Sequence, residues 1–400
     1  MENDIMCSFS GGGYRATFFH AGVLRKLIAF GLKDRIKVIS SVSGGSIINA
    51  FFSIHFDEIQ SVKDFDQIII EPLIEFSRKD IRTKILLYKG LALLRLKGDS
   101  QVMVENLQRY LFHDKKLNEL SPNLHTVINA TNLNNGGLWQ FGDNKFGDSE
   151  TGYSYDVKDI SLAFAVAASA CFPGLLSPMK LDIQEYKFYH QNKENHDDPS
   201  PCVTPDYVYL ADGGVFDNLG YFPIEQALRQ DKQAVFVISD AAGRFKKNQK
   251  KYHFLNEPLR IVDVLMEQVS SRDRKIIMQD MCMEKWRGVY MKLENSCRFY
   301  RELEGFDGKV GREIPVMGWS DSIVERIGKI RTDLNAFSQS EIQALICHGE
   351  TLVETTIAKW RYDFYQKEKN RQNLENYVEM AKLENEIFEA LERSKEFIKL

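Results

Sequence analysis

A serine that follows directly on an apolar, β-branched run becomes a candidate nucleophile if the chain turns sharply there. Ser43 stands in Ser41-Val42-Ser43-Gly44-Gly45, directly after Ile36 to Ile39. A strained strand-to-helix turn exposes the hydroxyl and points it at the positive end of the next helix. Small residues two positions either side relieve the crowding, and here they are Ser41 and Gly45. Ser43-Gly44-Gly45-Ser46 is also an ordinary turn sequence, so this stretch alone leaves both readings open.

A second element suits the same chemistry. Ser10-Gly11-Gly12-Gly13-Tyr14-Arg15-Ala16 follows a short apolar run, Ile5 to Phe9, and opens a segment patterned as a helix through Leu27. Glycine-rich backbone at a helix start forms an anion-binding nest: its amides converge on an oxygen, the helix dipole adds partial positive charge, and Arg15 adds a full one. One use of such a nest is an oxyanion hole for Ser43 built from Gly11, Gly12, Gly13 and Arg15. The other is a phosphate cradle, because Gly11, Gly13 and Ala16 satisfy the loose Gly-x-Gly-x-x-Ala dinucleotide pattern. A dinucleotide site wants an acid at the end of the second strand, where this chain has Ser40 to Ser46, and no Gly-Lys-Ser/Thr follows the glycines. The oxyanion hole is the favoured reading.

The third element is a carboxylate. Tyr207-Val208-Tyr209-Leu210-Ala211 reads as a strand and ends in Asp212-Gly213-Gly214. An acid at a strand's carboxyl end lies where open α/β sheets place their sites, although Asp-Gly-Gly by itself is a common turn.

With these motifs in this order, the chain resembles the patatin-like phospholipase family. Residues 11 to 15 match its Gly-Gly-Gly-x-Arg loop, residues 41 to 45 its Gly-x-Ser-x-Gly elbow, and residues 212 to 214 its Asp-Gly-Gly/Ala motif. Ala168-Ser169-Ala170-Cys171-Phe172-Pro173 is similar to its Ala-Ser-x-x-x-Pro segment. The resemblance covers at least residues 5 to 240. Two departures are Ser41 in place of the first elbow glycine and Ala16 where many members have glycine. What the resemblance implies is a lipid acyl hydrolase, a phospholipase A, that works through an acyl-enzyme with a Ser-Asp dyad. Ser43 is then the nucleophile, Asp212 the base, and the glycine loop with Arg15 the oxyanion hole; Gly213 and Gly214 complete the acid motif, and no cofactor or metal is needed. An unperturbed aspartate, with a pKa of about 3.9, is a poor base for an alcohol, and burial would raise it. Two other classes remain to be weighed: a dinucleotide-binding protein, and a catalytically idle lipid-binding module.

A histidine triad would use the same elbow in the order Ser, Asp or Glu, His. Only His253 and His348 follow Asp212: the first lies in the basic stretch Lys250-Lys251-Tyr252-His253, the second beside Gly349, where a place near a helix end is expected. With only one strand before it, an elbow at residue 43 also comes too early for the usual α/β-hydrolase sheet.

The elements that must position these residues are legible in outline. Residues 1 to 60 pattern as strand, loop, helix, strand, elbow and helix, which starts a parallel sheet. The expected architecture is therefore α/β: a patatin-like three-layer sandwich around a mostly parallel sheet, with a helical insertion and a helical C-terminal extension. The catalytic domain is assigned to residues 1–350, with residues 63–122 as the insertion (a lid or membrane-contact region), and the extension to residues 351–400. Thr126 to Asn129 and Ala234 to Ser239 read as further strands, Asn134-Asn135-Gly136-Gly137 as a turn between strands, and Asp217 or Asn218 as the cap of a helix through Arg229.

At 400 residues and 44% hydrophobic content the chain can bury a large core, and its net charge of −4 gives no general attraction to nucleic acid. Cys7, Cys171, Cys202, Cys282, Cys297 and Cys347 form no Cys-x-x-Cys pair and read as free thiols in a reducing compartment. No basic-then-apolar leader precedes the first strand and no apolar run reaches membrane-spanning length, so a cytoplasmic protein with peripheral membrane contact is expected. Two basic stretches suit such contact. Residues 78–97 hold seven Lys or Arg against one acid, interleaved with leucine and isoleucine, and Lys246, Lys247, Lys250 and Lys251 form a smaller patch. From Glu350 to Leu400 there is no glycine or proline, and Tyr377, Met380, Ile387 and Leu391 fall near helical spacing. Such helices pack back on the domain or serve a homo-oligomer or partner.

Overall fold

The computed structural model describes residues 4–81, 99–190, 202–243, 257–303, 318–361, 387–389 and 391. The stretch 82–98, Lys246 to Lys251, His253, and most of the chain after residue 361 lie outside the described residues.

Five strands form the parallel heart of the fold. These are β1 (Ile5–Phe9), β2 (Ile36–Val42), β3 (His125–Asn132), β9 (Val235–Asp240) and β10 (Arg287–Lys292), in the spatial order β10-β9-β1-β2-β3. All five residues of β1 and all six of β9 are buried, as expected of β-branched runs covered on both faces. Beyond β3 the sheet becomes antiparallel through β4 (Leu138–Gly142), β5 (Phe146–Asp148) and β6 (Gly152–Ser154). The turn from β3 to β4 is the Asn-Asn-Gly-Gly stretch, with Gly136 at φ 78°.

The last two strands decide where the acid goes. β7 (Met179–Asp182) pairs with β8 (Tyr207–Asp212), and β8 runs antiparallel to β3 with Asp212 opposite Ala130. On β3, Val42 of β2 is opposite Asn129, and β4 already occupies the other edge along residues 127 to 131. Thus β8 takes over on β3 where β2 stops, and the two strands meet tip to tip.

Helices cover both faces. α1 (Gly13–Ala29) and α2 (Gly44–Ile54) follow β1 and β2. Between α2 and β3 come α3 (Val62–Phe65), α4 (Glu71–Ser77) and α5 (Asp99–Leu107). α6 (Leu162–Ser169), α7 (Gly214–Asp217), α8 (Tyr221–Gln230), α9 (Glu257–Cys282), α10 (Cys297–Glu302), α11 (Asp321–Ile327) and α12 (Gln339–Trp360) complete the set. Asp217 caps α8, accepting from the amides of Leu219, Gly220 and Phe222 at 2.9, 3.0 and 2.8 Å.

α12 is an integral layer. A Cβ on Gly22 of α1 would lie 2.0 Å from the Ile346 carbonyl oxygen, and one on Gly349 would lie 2.1 Å from that of Phe19, so the two helices cross where only glycine fits. His348 and Gly349 thus sit inside a long helix rather than near its end; the glycine serves the crossing, not a stop. Lys26–Glu354 at 3.0 Å and Arg25–Glu350 at 2.6 Å flank the contact. Among the described residues no helix is long and apolar enough to cross a membrane, and no cluster of three His, Cys, Asp or Glu could hold a metal ion. None of the six cysteines forms a disulfide.

Candidate active site

The elbow is drawn tight. Ser43 has φ 52° and ψ −119°, a conformation that costs a non-glycine residue on the order of 1–3 kcal/mol and persists only where the surroundings enforce it. A Cβ on Gly44 would lie 2.0 Å from the Gly13 carbonyl oxygen, and one on Gly45 would lie 2.7 Å from those of both Phe9 and Ser10. The glycines after Ser43 let α2 press against the glycine loop. Ser41 fits because its buried hydroxyl is satisfied: it accepts from Asn49 Nδ2 at 2.9 Å, donates toward the Val127 carbonyl at 3.2 Å, and lies 3.0 Å from Ser46 Oγ.

Across the strand tips, Asp212 is only 3% exposed. Its carboxylate accepts from the Gly214 amide at 2.8 Å, and the Ser43 hydroxyl is near enough to favour its charged form. Burial pushes its pKa up to about 6, against the opposing pull of the Gly214 amide and the Ser43 hydroxyl. Its backbone is held as well: the Asp212 amide donates to the Cys171 carbonyl at 2.9 Å, and Thr131 Oγ1 donates to the Asp212 carbonyl at 2.8 Å. A Cβ on Gly213 would lie 2.4 Å from the Asn129 carbonyl oxygen, and one on Gly214 would lie 3.0 Å from Asp212 Oδ1.

Ser169 joins the two halves. The Ser43 amide donates to Ser169 Oγ at 2.9 Å, Ser46 Oγ lies 2.9 Å from the same atom, and the Gly213 amide donates to the Ser169 carbonyl at 3.2 Å. It ties the elbow to the acid strand. Its motif is visible in the sequence, whereas its bonding partners come from two distant segments.

The glycine loop closes the third side. Gly12 (φ 140°) and Gly13 (φ 57°) adopt conformations that favour glycine. A Cβ on Gly12 would lie 2.8 Å from the Ala241 carbonyl oxygen, and one on Gly13 would lie 2.4 and 2.6 Å from those of Thr332 and Asp333. The Gly11 amide donates to the Asn218 carbonyl at 3.0 Å and the Tyr14 amide to that of Asp333 at 3.3 Å, while the Gly12 and Gly13 amides meet no backbone acceptor among the described residues. Gly11, Gly12, Gly13, Ser43 and Asp212 all line one cavity of about 550 Å³. Its walls include Ile47, Phe172, Leu175, Leu176 and Leu334, together with α9 from Arg260 to Ser270.

Arg15 is not among the residues lining that cavity. It is buried, and its guanidinium donates to the carbonyls of Ala241 at 2.7 Å, Ile330 at 3.1 Å and Gly328 at 3.4 Å. Buried His20, missed in the sequence, props the loop from beneath: Nε2 donates to the Ser10 carbonyl at 3.0 Å, Nδ1 accepts from Ser239 Oγ at 2.8 Å, and the ring stacks on Phe9. Burial holds its pKa down at about 4, so the ring is neutral. His348 is likewise buried and off the cavity; its Nε2 donates to the Leu293 carbonyl at 2.7 Å.

A sequence profile described as patatin-like phospholipase matches residues 7–228. The chain belongs to that family. This patatin-like chain adopts the fold of human GIVD cytosolic phospholipase A2, with a TM-score of 0.52 at 11% identity over 92% of this chain. It spans 63% of that protein's length. The same human enzyme in complex with methyl gamma-linolenyl fluorophosphonate aligns with a TM-score of 0.49 at 14% identity, over 92% of this chain and 59% of that one. No curated protein sequence matches the chain.

Proposed function

We propose that the protein hydrolyses acyl esters of phospholipids or related lipids, with Ser43 as nucleophile, Asp212 as its base, and the amides of Gly12 and Gly13 as the oxyanion hole. The observation that carries this reading is that the strained Ser43 and the buried Asp212 carboxylate line the same cavity, the serine near enough to oppose the rise in the aspartate's pKa. Membership of the patatin-like phospholipase family supports the substrate class, and the apolar wall around Phe172, Leu175 and Leu176 suits an acyl chain.

In this mechanism Ser43 Oγ attacks the ester carbonyl carbon while its proton passes to Asp212. The carbonyl oxygen, now negative, takes hydrogen bonds from the Gly12 and Gly13 amides, and the positive end of α1 adds to them. Collapse breaks the ester bond, and the leaving alkoxide takes the proton back from Asp212. Water repeats the sequence on the acyl-enzyme, giving its proton to Asp212 and releasing the fatty acid from Ser43. A carboxylate near pKa 6 is a far stronger base than one near 3.8, which answers the difficulty of using aspartate. Arg15 contributes indirectly by tying α1 to the carbonyls of residues 241, 328 and 330.

Labelling with a fluorophosphonate lipid probe, the adduct located by mass spectrometry, tests the assignment. The adduct is expected on Ser43 and absent after Ser43→Ala, in parallel with loss of fatty-acid release. An adduct elsewhere overturns the nucleophile. Vesicle binding without any Ser43-dependent hydrolysis overturns the enzyme reading in favour of an idle lipid-binding module.

A further inference from the structure

The family profile ends at residue 228, yet one wall of the Ser43 cavity is α9, which begins at Glu257. α9 faces the cavity with Arg260, Asp263, Met266, Glu267 and Ser270, whose spacing of three and four keeps them on one stripe of the helix. Phe172, Leu175 and Leu176 supply apolar surface to the same cavity. One cavity therefore presents a greasy side and a charged side to the same ligand.

The balance of charge narrows what that ligand is. Among the described lining residues there is one cation, Arg260, against four carboxylates, Asp212, Asp263, Glu267 and Asp333. Glu267 is engaged by Arg274 at 3.0 Å, and Asp333 lies 3.4 Å from Arg331. Asp263 is partly withdrawn from water, which raises its pKa, and Arg260 offsets only part of that. Among the described residues, a headgroup bearing phosphate alone would meet one guanidinium and several carboxylates. A headgroup that also bears an ammonium complements both kinds of charge.

We propose that α9 selects the headgroup of the substrate, Arg260 taking the phosphate and Asp263 the ammonium of a zwitterionic glycerophospholipid. The proposal rests on the hydrolase reading of the same cavity. A guanidinium presents a fork of donors matched to phosphate oxygens. Residues three apart on a helix hold their Cβ atoms about 5–6 Å apart, comparable with the separation of phosphate and ammonium across a two-carbon linker. The acyl chain then lies on the Phe172, Leu175 and Leu176 side, with its ester between Ser43 and the glycine loop.

The test uses the full chain and two lipids with identical acyl chains, phosphatidylcholine and phosphatidylglycerol, each dilute in uncharged detergent micelles so that surface charge is the same. The readout is the ratio of their kcat/KM values, which a general loss of activity does not move. The unaltered chain is expected to favour phosphatidylcholine about fivefold, the scale of a partly exposed ion pair. Asp263→Asn is expected to bring the ratio near one and Asp263→Lys to invert it, while Arg260→Gln raises KM for both lipids. A ratio of one in the unaltered chain, a preference for phosphatidylglycerol, or a ratio unmoved by Asp263→Lys overturns headgroup selection. Hydrolysis of p-nitrophenyl butyrate, which has no headgroup, separates the two readings. If Ser43→Ala abolishes it while the lipid ratio is one, only the selector falls; without any Ser43-dependent hydrolysis, both readings fall.

Discussion

Removing the charge of Asp212 is expected to inactivate the protein and to make it more stable. In the folded chain burial raises the Asp212 pKa from 3.8 to about 6. At about 1.4 kcal/mol per tenfold change in acid strength, ionising this group in its folded surroundings costs about 3 kcal/mol more than in the unfolded chain. Below pH 3.8 the carboxyl is protonated in both states and contributes no difference. Between 3.8 and about 6 the folded state holds the extra proton, so stability falls as pH rises, and above 6 the loss is complete. Asp212→Asn keeps the shape and an oxygen for the Gly214 amide but has no charge to bury. Urea unfolding of both chains at pH 4 and pH 8 isolates this group, because every other titration is common to the two. The variant is expected to match the unaltered chain near pH 4 and to exceed it by up to about 3 kcal/mol at pH 8. A variant that is less stable at pH 8, or a difference that does not grow with pH, would show that the Asp212 carboxyl is not held above its ordinary value.

The same group fixes the pH profile: kcat/KM should rise about tenfold per pH unit up to about 6 and then level off, as read by fatty-acid release under steady state. Ser43→Gly and Ser43→Ala should both abolish hydrolysis, but the glycine variant should unfold at higher denaturant, by about 1–3 kcal/mol, because it relieves the positive φ. Ser169→Ala leaves the half-buried Ser43 amide without its acceptor; we expect a stability loss of about 0.5–1.5 kcal/mol by urea titration and a fall in kcat larger than any change in KM.

The strand, turn and helix around Ser43 were legible because a β-branched run, small flanking residues and glycines at close contacts all encode the same local shape. The helix through Leu27 and the strand ending at Asp212 were legible for similar reasons. Other features were not, because their causes are distant in the chain. Arg15 follows three glycines and reads as a charge for an anion, yet its partners are carbonyls contributed by residues 241, 328 and 330, and no local pattern announces a carbonyl. Gly349 reads as a helix stop until the backbone of α1 is seen 2.1 Å from where its Cβ would be. The acidity of Asp212 depends on how deeply β8 is buried, which spacing cannot express. The stripe on α9 mixes charge with Met266, and such a face looks like solvent-exposed helix until a cavity is found against it.

The position of Arg15 bears on where the molecule can be cut. All three carbonyls that receive its guanidinium lie beyond residue 228, where the match to the family profile ends. A fragment stopped there would keep Ser43 and Asp212 but would lose β9, leaving one edge of β1 unpaired and the Arg15 guanidinium without its three carbonyls. Such a fragment should be insoluble and inert when made alone. Supplied together with the remainder of the chain it has a route back, because β9 and α12 dock on β1 and α1 through packing and hydrogen bonds without any covalent link. The smallest unit that folds is thus larger than the smallest unit that can be recognised.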